Sequence, residues 1–180
     1  MIKNMILVGF ALSGLVLSGA AAATTTDSQT QQLDMAVSRI WQAMSHAPGV
    51  AANVAALKPL FHPDAVVAGA RPGGTLRQQS GGAFLQSLQQ SRPKGFYECE
   101  IGREVRWYGQ FATVLSLVES RPDPTQKQAD FTGINSLQWY FDGDKWQLIA
   151  LYYYLEQKPG ELQQWPLAAD ARRAPAGACL

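Results

Sequence analysis

The sequence has few of the residues that chemistry at protein sites most often uses. It contains 2 cysteines and 2 histidines in 180 residues, and only 16% of its residues are charged, against about 25% in an average globular chain. The cysteines form no CxxC pair, and no His/Cys cluster has the spacing of a metal site. We therefore expect no metal and no cofactor.

An excess of charge of one sign is also missing. The formal net charge is +1, so the chain has no basic surplus with which to neutralise a phosphate backbone, and nucleic acid is not an expected partner. Hydrophobic residues make up 47% of the chain, which excludes an intrinsically disordered polymer. The length predicts one ordinary domain.

The amino terminus has the pattern of a secretory signal peptide. Lys3 is followed by an apolar run at 5–17 and by small residues at 18–23. The run has about 13 residues, whereas a membrane-spanning helix needs about 20. We predict cleavage after Ala23, a periplasmic or secreted protein, and no stable membrane span after cleavage. The alternative is an uncleaved anchor; a lipoprotein is not expected, since no cysteine lies near the cleavage site.

The spacing of apolar residues changes along the chain, from helical to alternating. The first part predicts a polar leader at 24–31, helices at 30–46 and about 50–60, a short strand at 61–67, a Gly-rich loop at 70–82 and a short helix before Pro93. The second part predicts four strands at 96–108, 111–121, 130–141 and 146–156. Helices followed by antiparallel strands indicate an α+β domain over 24–157, and the Pro/Ala-rich residues 158–180 are expected to form a flexible tail.

Hairpin loops of even length would assign the strand side chains to two faces. The face expected beneath the helices is aromatic and carries Phe131, Asn135, Leu137, Trp139, Phe141, Trp146, Leu148, Ala150, Tyr152 and Tyr154. The same argument groups Tyr97, Cys99, Ile101, Arg103, Val105 and Trp107 on one face of the first long strand. The opposite sheet face is also apolar, with Leu115, Leu117, Ile134, Ile149, Leu151, Tyr153 and Leu155. A sheet that is apolar on both faces needs cover on both, so we predict a homodimer through this second face.

This succession of motifs resembles the nuclear transport factor 2-like superfamily, which includes SnoaL-like polyketide cyclases and ketosteroid isomerases. The resemblance rests on the first helix, the segment FHPDAVV at 61–67, the short helix and the four long strands ending in DGDKWQL at 142–148. It spans about residues 30–157 and implies a curved antiparallel sheet, wrapped by the amino-terminal helices into a cone with an internal pocket. Dimerisation through the sheet is implied as well. The superfamily contains enzymes and non-enzymes, so the fold does not fix the function.

The resemblance gives little support to the chemistry of the isomerases. Their catalytic aspartate would fall at Gly69, and their deep acidic or tyrosine donors would fall near Trp41 and 135–137, where no acid stands. The Asp-Arg-Asp arrangement of related epoxide hydrolases would take its guanidinium from Arg103, but no carboxylate shares the face assigned to Arg103.

His62 and Asp64 are the catalytic pair that residue type favours. Side chains at i and i+2 of a strand lie on one face, and histidine titrates near neutral pH, as a general base requires. The alternative is a structural turn from helix to strand in which Asp64 caps backbone amides. His46 is expected to interact with the last carbonyls of the first helix.

Six residues are predicted to line the ligand pocket: Trp41, Tyr97, Arg103, Asn135, Trp139 and Tyr152. Arg103 would bind an acidic group of a ligand bidentately, or else form an internal salt bridge or reach water at a strand end. Asn135 and Tyr152 would orient a polar ligand group or be satisfied within the core, and the tryptophans belong to the core or the pocket wall. Three acids are expected in solvent or at the rim of the dimer: Glu98, Glu100 and Glu104.

The two cysteines leave several states open. An oxidising compartment allows a disulfide between Cys99 and Cys179, and unpaired thiols or an intermolecular pair are equally compatible with the sequence. Three functions are compatible as well: binding of a small apolar or weakly acidic molecule in the cone, an isomerase, cyclase or hydrolase activity in the same pocket, or a structural or protein-interaction module.

Overall fold

The computed structural model describes residues 19–156, 167–175 and 178–180. The helices are α1 (Gly19–Met44), α2 (Val54–Leu57), which continues into a 3-10 turn (Lys58–Leu60), and α3 (Gly81–Leu88). The strands are β1 (Phe61–Ala70), β2 (Arg77–Ser80), β3 (Tyr97–Tyr108), β4 (Phe111–Arg121), β5 (Phe131–Phe141), β6 (Trp146–Leu155) and β7 (Arg172–Arg173). Among the described helices, none is both long enough and apolar enough to cross a membrane. The apolar run of the predicted signal peptide lies outside the described residues.

All seven strands belong to one sheet, in the order β2-β1-β6-β5-β4-β3-β7. Strands β3 to β6 form the predicted antiparallel meander, and the α+β class is confirmed. Two features differ from the prediction. β1 pairs parallel with β6, and β2 lies within the predicted Gly-rich loop and pairs with β1.

Helix α1 begins earlier than predicted, and its apolar face is buried against the sheet. The residues expected to form a polar leader at 24–31 are helical, which their alanine and glutamine neighbours favour. The helix ends at Met44, before Pro48, and the Ser45 hydroxyl donates to the Trp41 carbonyl at 2.8 Å. Its buried face is nearly inaccessible to water and carries Leu33, Val37, Ile40 and Trp41.

The short helices are fixed by local capping. α2 is shorter than predicted, because the chain passes into the 3-10 turn at Lys58–Leu60, where Pro59 has no N–H to continue an α-helix. The Asn53 side chain accepts from the Ala56 N–H at 3.1 Å. At α3 the Ser80 hydroxyl accepts from the Ala83 N–H, also at 3.1 Å.

Two β-bulges change which strand side chains lie on each face of the sheet, compared with the prediction from loop lengths. In β3 the pairing with β4 shifts between Glu100 and Gly102. In β6 the pairing with β5 shifts after Leu148, which lies opposite Trp139, so that Ala150 lies opposite Gln138. Each extra residue moves every side chain beyond it to the other face.

The bulge in β6 exchanges the two faces of its second half. Tyr152 lies opposite Ser136 on the outer face and is 48% exposed, so its assignment to the inner face is wrong. Leu151 and Tyr153 lie opposite Leu137 and Asn135 and join the inner face instead.

The bulge in β3 has the same effect on the start of that strand. Glu98 lies opposite Ser120 and Glu100 opposite Val118, on the inner face. Tyr97 and Cys99 therefore lie on the outer face, contrary to the prediction, and Glu98 and Glu100 are not solvated rim residues.

The described carboxyl-terminal residues, which the composition predicts to be a flexible tail, lie against β3. Strand β7 pairs with Gly102 and Arg103. Leu167 is 6% exposed and packs so closely on β3 that a Cβ at Gly102 would lie 2.7 Å from its Cδ1. A disulfide joins Cys99 to Cys179, with Cα atoms 5.1 Å apart. The chain's own end therefore covers part of the outer face.

Candidate functional site

The helices and the inner face of the sheet surround a cavity of about 350 Å³. Most of its wall is apolar, with Trp41 and Met44 from α1, Phe84 and Leu88 from α3, and Leu151 from β6. Its polar wall residues are His46, Arg71, Arg92, Glu98, Asn135 and Tyr153. The size lies within the range of about 300–1,000 Å³ that ligand sites occupy.

Two of the six predicted pocket residues, Trp41 and Asn135, line this cavity. Trp139 is fully buried in the core and is not part of the cavity wall. The bulge in β6 turns Tyr152 outward, and the bulge in β3 places Tyr97 opposite Arg121, away from the cavity.

Arg103, the sixth, lies in a buried ion-pair network and not in the cavity. Its Nε donates to Glu100 Oε1 at 3.0 Å, and its Nη2 contacts the other oxygen of Glu100. Its Nη1 donates to Asp34 Oδ1 at 3.0 Å and its Nη2 to Ser38 Oγ at 2.9 Å, while Arg172 donates to Asp34 Oδ2 at 2.8 Å. Burial lowers the pKa of Arg103, but Glu100 and Asp34 outweigh that effect and raise the pKa above its ordinary value. The internal salt bridge is therefore the role found. The expectation that no carboxylate shares the face of Arg103 is wrong, because the bulge in β3 moves Glu100 to that face.

His62 and Asp64 lie at the start of β1, outside the cavity wall. The Asp64 N–H donates to His62 Nδ1 at 3.1 Å, and the Asp64 side chain is 93% exposed. The contact is local to the strand, and neither residue lines the cavity. His46 lines the cavity instead, held by a backbone bridge to Phe96. No group of three or more His, Cys, Asp or Glu among the described residues could hold a metal ion.

Gly69, at the position of the isomerase aspartate, is covered by an aromatic ring. It pairs with Tyr153 across β1 and β6, and a Cβ at Gly69 would lie 2.0 Å from Cζ of that tyrosine. Any side chain here would displace the Tyr153 ring, which is part of the cavity wall. The ring therefore occupies the space that an aspartate would need.

Glu98 is the polar group that the sequence argument placed on the wrong face. Its backbone N–H donates to Ser45 Oγ at 3.0 Å, which ties β3 to the end of α1. Its side chain lines the cavity, where Oε2 is shielded from water and has no hydrogen-bond partner among the described residues. Burial raises the pKa of Glu98 to about 8. At neutral pH the carboxyl therefore keeps its proton and can donate a hydrogen bond.

Trp41 supplies a second polar group without a partner. The residue is 3% exposed, it lines the cavity, and its Nε1–H finds no acceptor among the described residues. A buried polar group left unpaired costs about 1–3 kcal/mol, so such groups mark places where a ligand or water completes the bonding. Trp41 and Glu98 are thus two residues of the cavity wall that each carry a polar atom without a partner among the described residues.

Comparison with known proteins gives structural matches only. No known family matches the sequence, and no curated protein matches it. The structure is similar to an NTF2-like protein with a cystatin-like fold from Novosphingobium aromaticivorans, with a TM-score of 0.59 and 13% identity over 75% of this chain and 86% of that one. An NTF2-like protein of unknown function from Shewanella baltica matches with a TM-score of 0.55 and 11% identity, over 73% of this chain and 97% of that one. Another from Silicibacter pomeroyi matches with a TM-score of 0.53 and 19% identity, over 72% of this chain and 98% of that one. At these identities the likeness concerns the fold alone.

Proposed function

We propose that this chain, which has the nuclear transport factor 2-like cone fold, binds a small, mostly apolar or weakly acidic molecule in its cavity. The observation that carries the proposal is an apolar cavity of about 350 Å³ whose wall holds two unpaired polar groups, on Glu98 and Trp41. An apolar body gains about 25 cal/mol for each Å² that leaves water. A purely structural module, with its cone filled by its own aromatic side chains, would need no such space.

Native mass spectrometry of the protein purified from its own host tests this proposal. We expect a small molecule that travels with the folded protein and is released on denaturation. Leu88→Trp, which fills the cavity from α3, is expected to remove it, and Tyr108→Trp, at a position of β3 that is 58% exposed, is the matched control. Wild-type protein that carries no such molecule and also fails to bind 2,6-diethylnaphthalene, an apolar probe, would contradict the proposal.

A second candidate is proton transfer on the bound molecule, as in an isomerase, cyclase or hydrolase, and Glu98 is the observation that favours it. A carboxyl with a pKa near 8 in an apolar cavity suits general acid–base catalysis close to neutral pH. The test uses 2-acetylnaphthalene in D₂O, because the C–H bonds beside its carbonyl are weakly acidic. Exchange that is faster with the wild type than with Glu98→Gln would support catalysis, and equal rates would favour binding alone.

We also propose that the chain is exported and oxidised. Disulfides persist in the periplasm and outside the cell, and the bridge from Cys99 to Cys179 closes a sequence separation of 80 residues. Cell fractionation with amino-terminal sequencing should find the protein outside the cytoplasm, beginning at Thr24. A cytoplasmic chain that retains Met1 would contradict export.

The macromolecular partner that we propose is a second copy, bound through the outer face of β5 and β6. Tyr152 and Tyr154 are 48% and 37% exposed there, and they lie opposite Ser136 and Ile134. None of these side chains is charged, so a two-fold contact of the patch with itself brings no like charges together. The carboxyl-terminal segment already covers part of β3, which leaves β5 and β6 as the centre of the contact.

A further inference from the structure

A groove of about 650 Å³ with a cationic wall opens beside the cavity. Three arginines line it, Arg71, Arg77 and Arg92, and no acid is among the described residues of its wall. Arg71 and Arg92 line the cavity as well, together with Tyr153 and Leu155. The groove and the cavity share these four residues, so they lie side by side.

The arginines come from three separate segments whose backbones are fixed. Arg71 follows β1, and its carbonyl accepts from the Gly74 N–H at 2.8 Å. Arg77 begins β2, and Arg92 follows α3, with its carbonyl accepting from the Gly49 N–H at 2.8 Å. All three residues are exposed, and none of them forms an ion pair with an acid in the part of the chain that the structure describes.

We propose that this groove binds the carboxylate head group of an amphipathic organic acid whose apolar body lies in the cavity. The inference rests on the proposed binding function and names the class of ligand. Guanidinium groups hold carboxylate oxygens through paired, charge-assisted hydrogen bonds. A cleft lined by several cations attracts an anion and disfavours an ammonium group.

Glu98 does not oppose an anionic ligand. It is the one carboxyl among the described residues that line the cavity, and burial raises its pKa to about 8. At neutral pH it therefore adds little negative charge to the site. The other ionisable residues of the cavity wall are His46, Tyr153 and the two arginines, none of which carries a carboxyl group.

Two probes of similar shape test the proposal on the full chain by equilibrium dialysis at pH 7. They are 6-ethyl-2-naphthoate, which carries a carboxylate, and 2,6-diethylnaphthalene, which is neutral. At about 50 mM salt we expect the acid to bind about tenfold more tightly, the size of a hydrogen bond to a charged group. At about 300 mM salt this preference should shrink, because exposed charges are screened.

Variants then assign the preference to the arginines. Arg77→Gln, which changes the groove and not the cavity wall, is expected to weaken binding of the acid about five- to tenfold and to leave the neutral probe unchanged. Arg71→Gln and Arg92→Gln, which also change the cavity wall, are expected to weaken binding of the acid more than binding of the neutral probe. Lys145→Gln, which removes an exposed charge from the turn between β5 and β6, is the control and should change neither. Circular dichroism confirms that each variant is folded.

The outcomes separate this inference from the function on which it rests. Equal binding of the two probes by the wild type, or an equal loss of both probes in the arginine variants, would overturn the head-group assignment while leaving the cavity as a binding site. Failure of both probes to bind would overturn both proposals.

Discussion

Removal of the Glu98 carboxyl has a consequence for stability that can be worked out from its surroundings. Burial raises its pKa from 4.5 to about 8, whereas the unfolded chain restores the ordinary value. Between these values the folded state holds a proton that the unfolded state has released, so stability falls as pH rises from 4.5 and levels off above pH 8. Each pH unit in this window costs about 1.36 kcal/mol. The wild type should therefore lose up to about 3 kcal/mol between pH 4.5 and pH 7, an upper limit because the residue as a whole is only half-buried.

The assay is urea unfolding of the wild type and Glu98→Gln at a series of pH values from 4.5 to 9. Between pH 4.5 and pH 7 we expect the unfolding free energy of Glu98→Gln to rise, relative to that of the wild type, by up to about 3 kcal/mol. Above pH 8 the difference between the two proteins should become constant. Glu104→Gln is the control on the same strand. The Ala168 N–H and Arg106 lower the pKa of Glu104, so the contribution of this carboxylate to stability is lost only in acid. The difference in unfolding free energy between the wild type and Glu104→Gln should therefore stay constant from pH 5 to 9. A flat difference for Glu98→Gln as well would refute the burial of this carboxyl.

Three other features give predictions of stability and assembly. Arg103→Leu should lower the free energy of unfolding by about 3–5 kcal/mol, because Glu100 would stay buried without its counter-charge. The double variant Arg103→Leu/Glu100→Leu should lose less stability than the two single variants lose together. Strictly additive losses in urea unfolding would contradict this coupling. Replacing Cys99 and Cys179 by serine should cost up to about 4 kcal/mol, given the length of the loop that the bridge closes, and an unchanged urea midpoint would argue against that bridge. Sedimentation equilibrium should show a dimer that Tyr152→Asp dissociates, and a wild-type monomer at micromolar concentration would exclude the proposed contact.

The helices and strands were largely predictable because their signals are local. Alternation of apolar residues and the Asp142-Gly143 turn fix the four long strands almost to the residue. The loop before α3 was harder, because β2 is a polar strand, Arg77–Ser80, that forms only through its pairing with β1.

The site was predictable only in part, because one inserted residue reverses a strand face. The sequence predicts that Tyr152 and Tyr97 line the pocket. In the structure their chain neighbours, Tyr153 and Glu98, line the cavity instead. No local sequence pattern predicts either bulge. Trp41 lines the cavity, and its direction follows from the apolar spacing of helix α1, which has no such irregularity.

The carboxyl-terminal contacts could not be predicted for a different reason. They join residues far apart in the chain, such as Arg172 to Asp34 and Cys99 to Cys179. Composition alone suggested a flexible segment, and only the assembled edge of the sheet shows what β7 pairs with.

We propose that the ligand binds in the cavity within the cone and not on the outer face of the sheet. Isotope-edited nuclear Overhauser effects between 6-ethyl-2-naphthoate and the protein test it directly. We expect contacts with the methyl groups of Leu88, Val118 and Leu151, together with a saturable shift of the Trp41 indole N–H. Contacts confined to the outer face around Tyr152, or the absence of saturable binding, would contradict it.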